Sequence, residues 1–154
     1  MDNGYGYGIC LNDATIDFNT LAEKIREYGT PEMKKTLEET FRDPNKCWDD
    51  FFAKVEGAIS DDWMGYTVYD GGNDDENAKV CMALLCKNFL MQHEVDADVF
   101  YDCGFLYVPV DFPRNEDAKR RMPTIELLDD MFDEISGEIT GIYGYDAGHQ
   151  TLND

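Results

Sequence analysis

The stretch GYGYGICL (residues 4–11) alternates glycine or cysteine with larger side chains. Successive side chains of a β-strand point to opposite faces, so the larger residues share one face of an extended strand. They are Tyr5, Tyr7, Ile9 and Leu11. The opposite face is bare at its glycines, and we expect another part of the protein to pack closely against it. The alternation favours an N-terminal strand over a phosphate-binding loop.

The same Gly/Tyr pattern returns near the other end of the chain, in GIYGY (residues 141–145). Aromatic side chains that lie over strand glycines stabilise a sheet. We therefore expect the two terminal Gly/Tyr segments to be strands of one sheet. Residues 148–154 show no pattern, and we expect them to form a flexible tail.

Helical periodicity dominates residues 17–59. Asp17 is a suitable N-cap for a first helix, and Gly29 is a suitable residue to end it. Thr30, with proline at the first helical position, begins a second helix. Residues 48–59 give the clearest amphipathic pattern in the chain. We expect these three helices to form a layer that covers a sheet.

Further elements are predicted after residue 60. Residues 63–69 are expected to form a strand. The apolar residues 77–91 predict a central helix that follows an acidic turn, and residues 124–135 predict a last helix with acidic residues on its surface.

A hairpin is predicted from residues 99–101 and 105–110, and Pro109 indicates that its second arm lies near a sheet edge. The elements together predict an α+β fold, a single domain over residues 1–147. We expect a mostly antiparallel sheet of four to five strands, including both terminal Gly/Tyr strands, covered by four to five helices. A chain of 154 residues has the usual length of one domain.

The chain is strongly acidic, with 33 Asp and Glu residues against 13 Lys and Arg and a formal charge of −20. A charge of this size disfavours nucleic acids and anionic membranes as direct partners. A basic protein surface is the favoured counterpart. The hydrophobic fraction of 43% argues against intrinsic disorder despite the charge.

The five cysteines form no CxxC pair and no paired metal-ligand spacing. The N-terminus lacks the basic and then apolar stretch of a signal peptide, and the apolar runs are too short to span a bilayer. These features predict a cytoplasmic protein. If a phage encodes it, its location is the cytoplasm of the host cell.

The acids are concentrated in separate regions. Residues 43–77 hold ten acids and two bases, and residues 122–154 hold eight acids and no base, whereas residues 114–121 carry a net charge of +2. The candidate partner-binding residues are Glu126, Asp129, Asp130, Asp133, Glu134, Glu138, Asp61, Asp62, Asp74, Asp75 and Glu76.

On the last predicted helix, Glu126, Asp129 and Asp133 share a face and repel one another by roughly a few tenths of a kcal/mol per pair. Three interpretations remain open, of which metal binding by the row is one. A solvated helix face tolerates such a row without any function. Alternatively, the row imitates the regularly spaced phosphates of a nucleic acid and docks into a basic groove. For residues 74–76, a favourable position at the start of a helix is a purely structural explanation.

A divalent-metal site is a further alternative. On a strand, Glu94, Asp96 and Asp98 would lie on one side, which suits a hard cation, although any edge strand facing water shows the same alternation. The sequence contains no nucleotide-binding glycine loop, no GxSxG motif and only two histidines. We therefore expect no enzymatic activity and no cofactor.

In size and acidity the chain resembles the small inhibitors that phages and mobile elements use against restriction or CRISPR nucleases. This resemblance is compositional. It implies a non-enzymatic nucleic-acid mimic of the anti-CRISPR or anti-restriction type, which inhibits a nuclease or another nucleic-acid-binding protein. Immunity proteins that neutralise basic nuclease toxins are the first alternative, and a divalent-metal enzyme or sensor is the second. The candidate aromatic anchors near the acids are Trp48, Trp63, Tyr66 and Tyr69.

Overall fold

The computed structural model describes residues 4–59, 73–102, 104–110 and 123–152. Its strands are β1 Gly4–Cys10, β2 Phe100–Asp102, β3 Phe105–Val110 and β4 Gly148–Leu152. They form one antiparallel sheet in the order β2-β3-β1-β4. The first four helices are α1 Phe18–Tyr28, α2 Pro31–Phe41, α3 Trp48–Ile59 and α4 Asp74–Gln92. The fold is α+β, which confirms the predicted class.

The last helical region has three parts, which we call together the C-terminal helix (residues 125–140). Helix α5 Ile125–Met131 passes into a π-helical segment, Phe132–Gly137, and ends with the short α6 Glu138–Thr140. The helix is therefore longer than predicted. It stops at Gly141, whose φ of +82° is a left-handed conformation that glycine adopts without strain.

The first helices begin at the capping residues that the sequence indicates. Asp17 accepts hydrogen bonds from the backbone N–H groups of Asn19 and Thr20 at the start of α1. Thr30 Oγ1 accepts the N–H of Met33 at the start of α2. These side chains satisfy backbone donors that a helix leaves without partners in its first turn.

The hairpin of β2 and β3 is confirmed, but β3 is not an edge strand. It lies between β1 and β2. Pro109 pairs with Gly6 of β1, whereas the pairing with β2 reaches only from Phe105 to Tyr107. Pro109 therefore lies beyond the described end of β2, where that ladder requires no N–H group. A proline in an interior strand is tolerated because its neighbour is short.

The second Gly/Tyr segment is not a strand. Residues 141–145 leave the C-terminal helix and enter a 3-10 turn, Gly144–Asp146. Gly144 lies so close to the backbone of Asp129 that an added Cβ would collide with it. The two glycines of this segment thus serve a helix end and a close backbone contact. The prediction of a terminal strand here is wrong.

The strand that pairs with β1 at the C-terminus lies in the segment for which we expected a flexible tail. Residues Gly148–Leu152 form β4 and pair in register with Gly8 to Gly4. The sequence GHQTL has no apolar alternation, so its side chains give no sign of a strand. Backbone pairing with β1 places it in the sheet.

Helix α4 is central, as its apolar sequence predicts. It contacts α1, α3, the β2–β3 hairpin and the C-terminal helix. Strand β1 and the residue that follows it contribute the buried side chains that the alternation predicts, namely Tyr7, Ile9 and Leu11. Cys81 and Cys86 of α4 are fully buried, and burial raises the pKa of both thiols. Within the described ranges, no helix combines the length and the apolar character needed to cross a membrane.

Several predicted features lie outside the described residues. They are the strand at 63–69, the acids Asp61 and Asp62, the basic group at 114–121, and the candidate anchors Trp63, Tyr66 and Tyr69.

Candidate functional site

A groove of about 540 Å³ lies beside the C-terminal helix. Phe89 and His93, at the end of α4, line it together with Tyr143 and Tyr145, which follow the C-terminal helix. Four carboxylates from the C-terminal helix complete the lining. They are Asp130, Asp133, Glu134 and Glu138. The structure thus brings together four of the predicted partner-binding residues, and we call this site the acidic groove.

The C-terminal helix presents these acids because its apolar residues face the core. Leu128, Phe132 and Ile135 are fully buried, and Ile139 nearly so. Thr124 Oγ1 accepts the N–H of Leu127 and fixes where the helix begins. Most of the acids therefore fall on the remaining, outward surface of the helix.

Two of the groove carboxylates hold the structure together. Asp133 Oδ1 accepts the backbone N–H of Gly144 at 2.6 Å, which ties the 3-10 turn to the helix. Glu134 Oε1 accepts a hydrogen bond from Lys24 Nζ at 2.7 Å and a longer one from the Tyr28 hydroxyl. Burial raises the pKa of Tyr28, and the charges of Glu134 and Glu27 raise it further.

The other two groove carboxylates point their charge outward. Asp130 and Glu138 are exposed, and neither has a hydrogen bond or ion pair with another residue in the described part of the chain. An unpaired carboxylate on the surface can accept charge-assisted hydrogen bonds from an incoming cation. These two residues are the groove's available negative charges.

Aromatic rings form the walls of the acidic groove. The rings of Tyr143 and Tyr145 stack with centroids 6.0 Å apart and planes 10° apart, and Tyr145 is 82% exposed. Phe89 and His93 stack with centroids 4.4 Å apart, and His93 Nδ1 is hydrogen-bonded to the Phe89 carbonyl oxygen. The groove therefore combines carboxylates with aromatic faces.

The predicted acidic row on the C-terminal helix is divided between internal and external roles. Asp129 lies outside the groove lining, and its Oδ1 accepts the Tyr7 hydroxyl at 2.6 Å. Burial, followed by the bond to Asp129, raises the pKa of Tyr7 to about 12. Glu126 is exposed and has no partner among the described residues. Bonds to Tyr7 and to Gly144 therefore account for Asp129 and Asp133, and only Glu126 remains fully outward.

No family model, no curated protein and no solved structure matches this chain. The chemistry of the groove therefore carries the functional argument. Carboxylates and aromatic faces both attract cations. In the residues that the structure describes, no three His, Cys, Asp or Glu side chains are grouped to hold a metal ion. The carboxylates and aromatic faces of the acidic groove suit an organic cation, such as an ammonium or guanidinium group.

The second predicted acidic patch is largely the start of α4. Asn73 Oδ1 accepts the N–H groups of Asp75 and Glu76, and Glu76 binds Lys79 Nζ at 3.2 Å and the Tyr101 hydroxyl at 2.8 Å. Burial raises the pKa of Asp74, with a further contribution from the charges of Asp49 and Asp75. Helix capping and internal pairing therefore explain most of this patch.

The arrangement that we expected for a metal site at residues 94–98 is wrong. Glu94 has a φ of +62° just beyond the end of α4, so the segment does not begin as a strand. Lys87 Nζ lies 3.0 Å from Asp98 and 3.9 Å from Asp96. These two carboxylates neutralise a buried lysine rather than converge with Glu94 on one side of a strand.

Trp48, a candidate anchor, is half-buried and packs among aromatic rings. Its ring contacts Phe41 at a centroid distance of 5.0 Å and Phe18 at 5.3 Å, and it also touches Phe51 and Phe52. With Phe18 and Phe41 it lines a separate groove of about 400 Å³. Core packing thus accounts for most of its surface.

Sequence reasoning missed the aromatic half of the acidic groove. The Gly/Tyr pattern includes Tyr143 and Tyr145 but predicts a strand there. Nothing in the sequence indicates that Phe89 and His93 line a groove, because the sequence at a helix end does not predict which residues pack beside it. A tyrosine close to a run of acids is the sequence signal that could have pointed to this binding site.

Proposed function

We propose that this protein is a non-enzymatic inhibitor that binds a basic, nucleic-acid-binding protein, such as a nuclease. Its carboxylates would occupy positions where the target otherwise holds phosphates. The supporting observation is the acidic groove, where two carboxylates that have no partner among the described residues stand beside an exposed tyrosine. The surrounding sequence reinforces the charge, because residues 122–154 contain no lysine or arginine. Inhibitors of the anti-CRISPR or anti-restriction type belong to this class.

The physical basis is charge complementarity combined with aromatic anchoring. A net charge of −20 accelerates encounter with a basic surface and makes association sensitive to salt. Charge alone gives little affinity at an exposed surface, and aromatic residues that lose water on binding supply more of it. Tyr145 is placed to do this. The bonds of Asp133 and Glu134 hold the groove in shape before the partner arrives, which lowers the entropy cost of binding.

A reducing compartment fits this proposal. Among the described residues, Cys10 and Cys47 are exposed thiols without a disulfide partner, and Cys81 and Cys86 are buried and unpaired. We propose that the protein acts in the cytoplasm, where nucleases that act on intracellular nucleic acid are found.

The proposal is tested by capture in the presence of competing nucleic acid. Tagged protein is incubated with a native lysate at low salt, and bound proteins are identified with and without added duplex DNA or RNA. We expect a basic nucleic-acid-binding protein, displaced both by rising salt and by its own nucleic acid. A partner that retains its nucleic acid while bound, or that is indifferent to salt, would contradict mimicry. Capture of a toxin nuclease encoded beside this chain would identify an immunity protein instead.

A further inference from the structure

We infer that the acidic groove receives one arginine side chain of the basic partner. This inference rests on the proposed function and names the group that the site recognises. It follows from the shape of the groove, from the carboxylate oxygens left available, and from the aromatic walls.

The groove has room for one long side chain and its neighbours. The groove is open to solvent, and its volume of about 540 Å³ is large enough for one arginine side chain to lie along it. A guanidinium group needs several acceptors spread around a plane, whereas a metal ion needs ligands that converge on a point. The groove's acids come from both halves of the C-terminal helix and suit the first requirement.

The carboxylates retain unused acceptor positions. Asp130 and Glu138 have no partner among the described residues. Asp133 binds Gly144 through Oδ1, and Glu134 binds Lys24 through Oε1. Within the described ranges, no contact involves the second oxygen of either carboxylate. Arginine has five N–H donors in a fixed planar fork, so it can use such a set of separated oxygens.

The aromatic walls favour arginine over lysine independently of charge. The guanidinium plane stacks on aromatic rings, whereas an ammonium group is a compact and strongly hydrated point charge. Tyr145 remains 82% exposed while stacked on Tyr143, so one face of this pair is open to a ligand. A guanidinium group can stack on such an exposed ring while it binds the neighbouring carboxylates.

Two peptides of equal charge test the inference. Both peptides are nine residues long and consist of glycine and serine, apart from three arginines in one peptide and three lysines in the other. Binding is measured by calorimetry at low salt. We expect the arginine peptide to bind about two- to fivefold more tightly to the wild-type protein. Tyr145→Ala should remove this preference, and Tyr145→Phe should keep it. Asp130→Asn with Glu138→Gln should weaken both peptides.

The outcomes separate the inference from the proposed function. Equal affinity for the two peptides, with partner capture intact, would overturn arginine recognition and leave the inhibitor proposal standing. If neither peptide binds the wild-type protein or any variant, and no salt-sensitive partner is captured, both the arginine inference and the inhibitor proposal would be overturned. Backbone NMR shifts on titration of the arginine peptide should fall near residues 89–93 and 141–147. Shifts confined to other regions would show that the groove is not the site. Thermal melting of Tyr145→Ala should match the wild type, because the ring is exposed.

Discussion

Tyr7 joins the sheet to the acidic side of the C-terminal helix. Its hydroxyl donates to Asp129 across 122 residues of sequence, and its ring packs against Phe132 at a centroid distance of 6.2 Å. The bond gives Asp129 a structural purpose and holds its negative charge at a fixed position. A residue that looks like part of a solvated or functional row is therefore also part of the framework.

Replacing Tyr7 with Phe is expected to lower the free energy of unfolding at neutral pH by about 1.5 kcal/mol, because the lost hydrogen bond has a charged acceptor. Urea unfolding measures this difference. Tyr145→Phe is the matched control, since its hydroxyl belongs to a ring that is 82% exposed, and it should leave stability unchanged.

The contribution of the Tyr7 hydroxyl should also depend on pH. The folded state raises the pKa of Tyr7 from 10.0 to about 12, so it holds the phenolic proton more tightly than the unfolded state. The stabilisation is therefore complete below pH 10 and is lost as the pH rises from 10 to about 12. The stability gap between wild type and Tyr7→Phe should narrow over this range. A gap of constant size up to pH 12 would contradict the role of the Asp129 bond.

At the scale of single elements, the end of α4 carries a strained residue. Among the described residues, Glu94 is the non-glycine residue with positive φ, at +62°. It lies where the Val95 N–H donates to the Leu90 carbonyl oxygen at 2.9 Å and closes the helix. Glycine is the usual residue at such a left-handed helix end because it has no Cβ.

Glu94→Gly is expected to raise the free energy of unfolding by about 0.5 to 1 kcal/mol, since the relief of strain exceeds the added flexibility of the unfolded chain. Denaturant unfolding gives the value. Glu94→Ala removes the same charge but keeps Cβ, so it should bring no gain. Equal stabilisation by alanine and glycine would show that charge, not backbone strain, limits stability here.

The π-helical segment sets the position of the groove wall. Gly137 lies under the Tyr143 ring, and an added Cβ would overlap ring atoms. Gly137→Ala should therefore displace Tyr143 and weaken partner binding by about two- to fivefold, the usual effect of losing one exposed cation–π contact. The affinity of the captured partner measures the effect. Gly148→Ala is the control, because nothing lies within 4 Å of its added Cβ, and it should bind normally.

Local signals predicted the elements better than they predicted their pairing. Asp17, Thr30 and the apolar spacing of α3 are each sufficient to begin or sustain a helix, so those helices were predictable. The predictions for GIYGY and GHQTL are both wrong, because the first forms a helix end and a 3-10 turn and the second forms a strand. Glycine is equally suited to a strand, a helix end and a close backbone contact, and β4 is held by backbone bonds that leave no side-chain pattern. Only the tertiary structure distinguishes these uses.

At the scale of the whole molecule, the distribution of charge was predictable but its use was not. The sequence placed a base-free acidic region at the C-terminus, and the acidic groove lies there. It did not reveal that Glu134 is paired with Lys24, which is 110 residues distant in sequence. Long-range contacts of this kind determine which acids stabilise the fold and which are available to bind a partner. No local sequence pattern predicts these contacts.

This division determines which residues should be changed to test the central claim. Glu126, Asp130 and Glu138 carry no internal bond in the described part of the chain, so Glu126→Gln, Asp130→Asn and Glu138→Gln remove surface charge without removing a contact. Substitutions at Asp129 or Asp133 would alter both the stability of the fold and the affinity for the partner, so the two effects could not be separated. A control of equal charge is Asp13→Asn, Glu23→Gln and Glu32→Gln, all of which are exposed residues away from the acidic groove.

The most direct measurement is the affinity of the captured partner for the wild type and for these two triple variants across a series of salt concentrations. The account predicts that the variant of Glu126, Asp130 and Glu138, two of which line the groove, loses roughly tenfold in affinity and shows a shallower salt dependence. The control variant should keep most of the affinity. All three proteins should melt at similar temperatures. Equal losses in the two variants would mean that the partner responds to total charge alone, and this result would contradict a specific acidic groove.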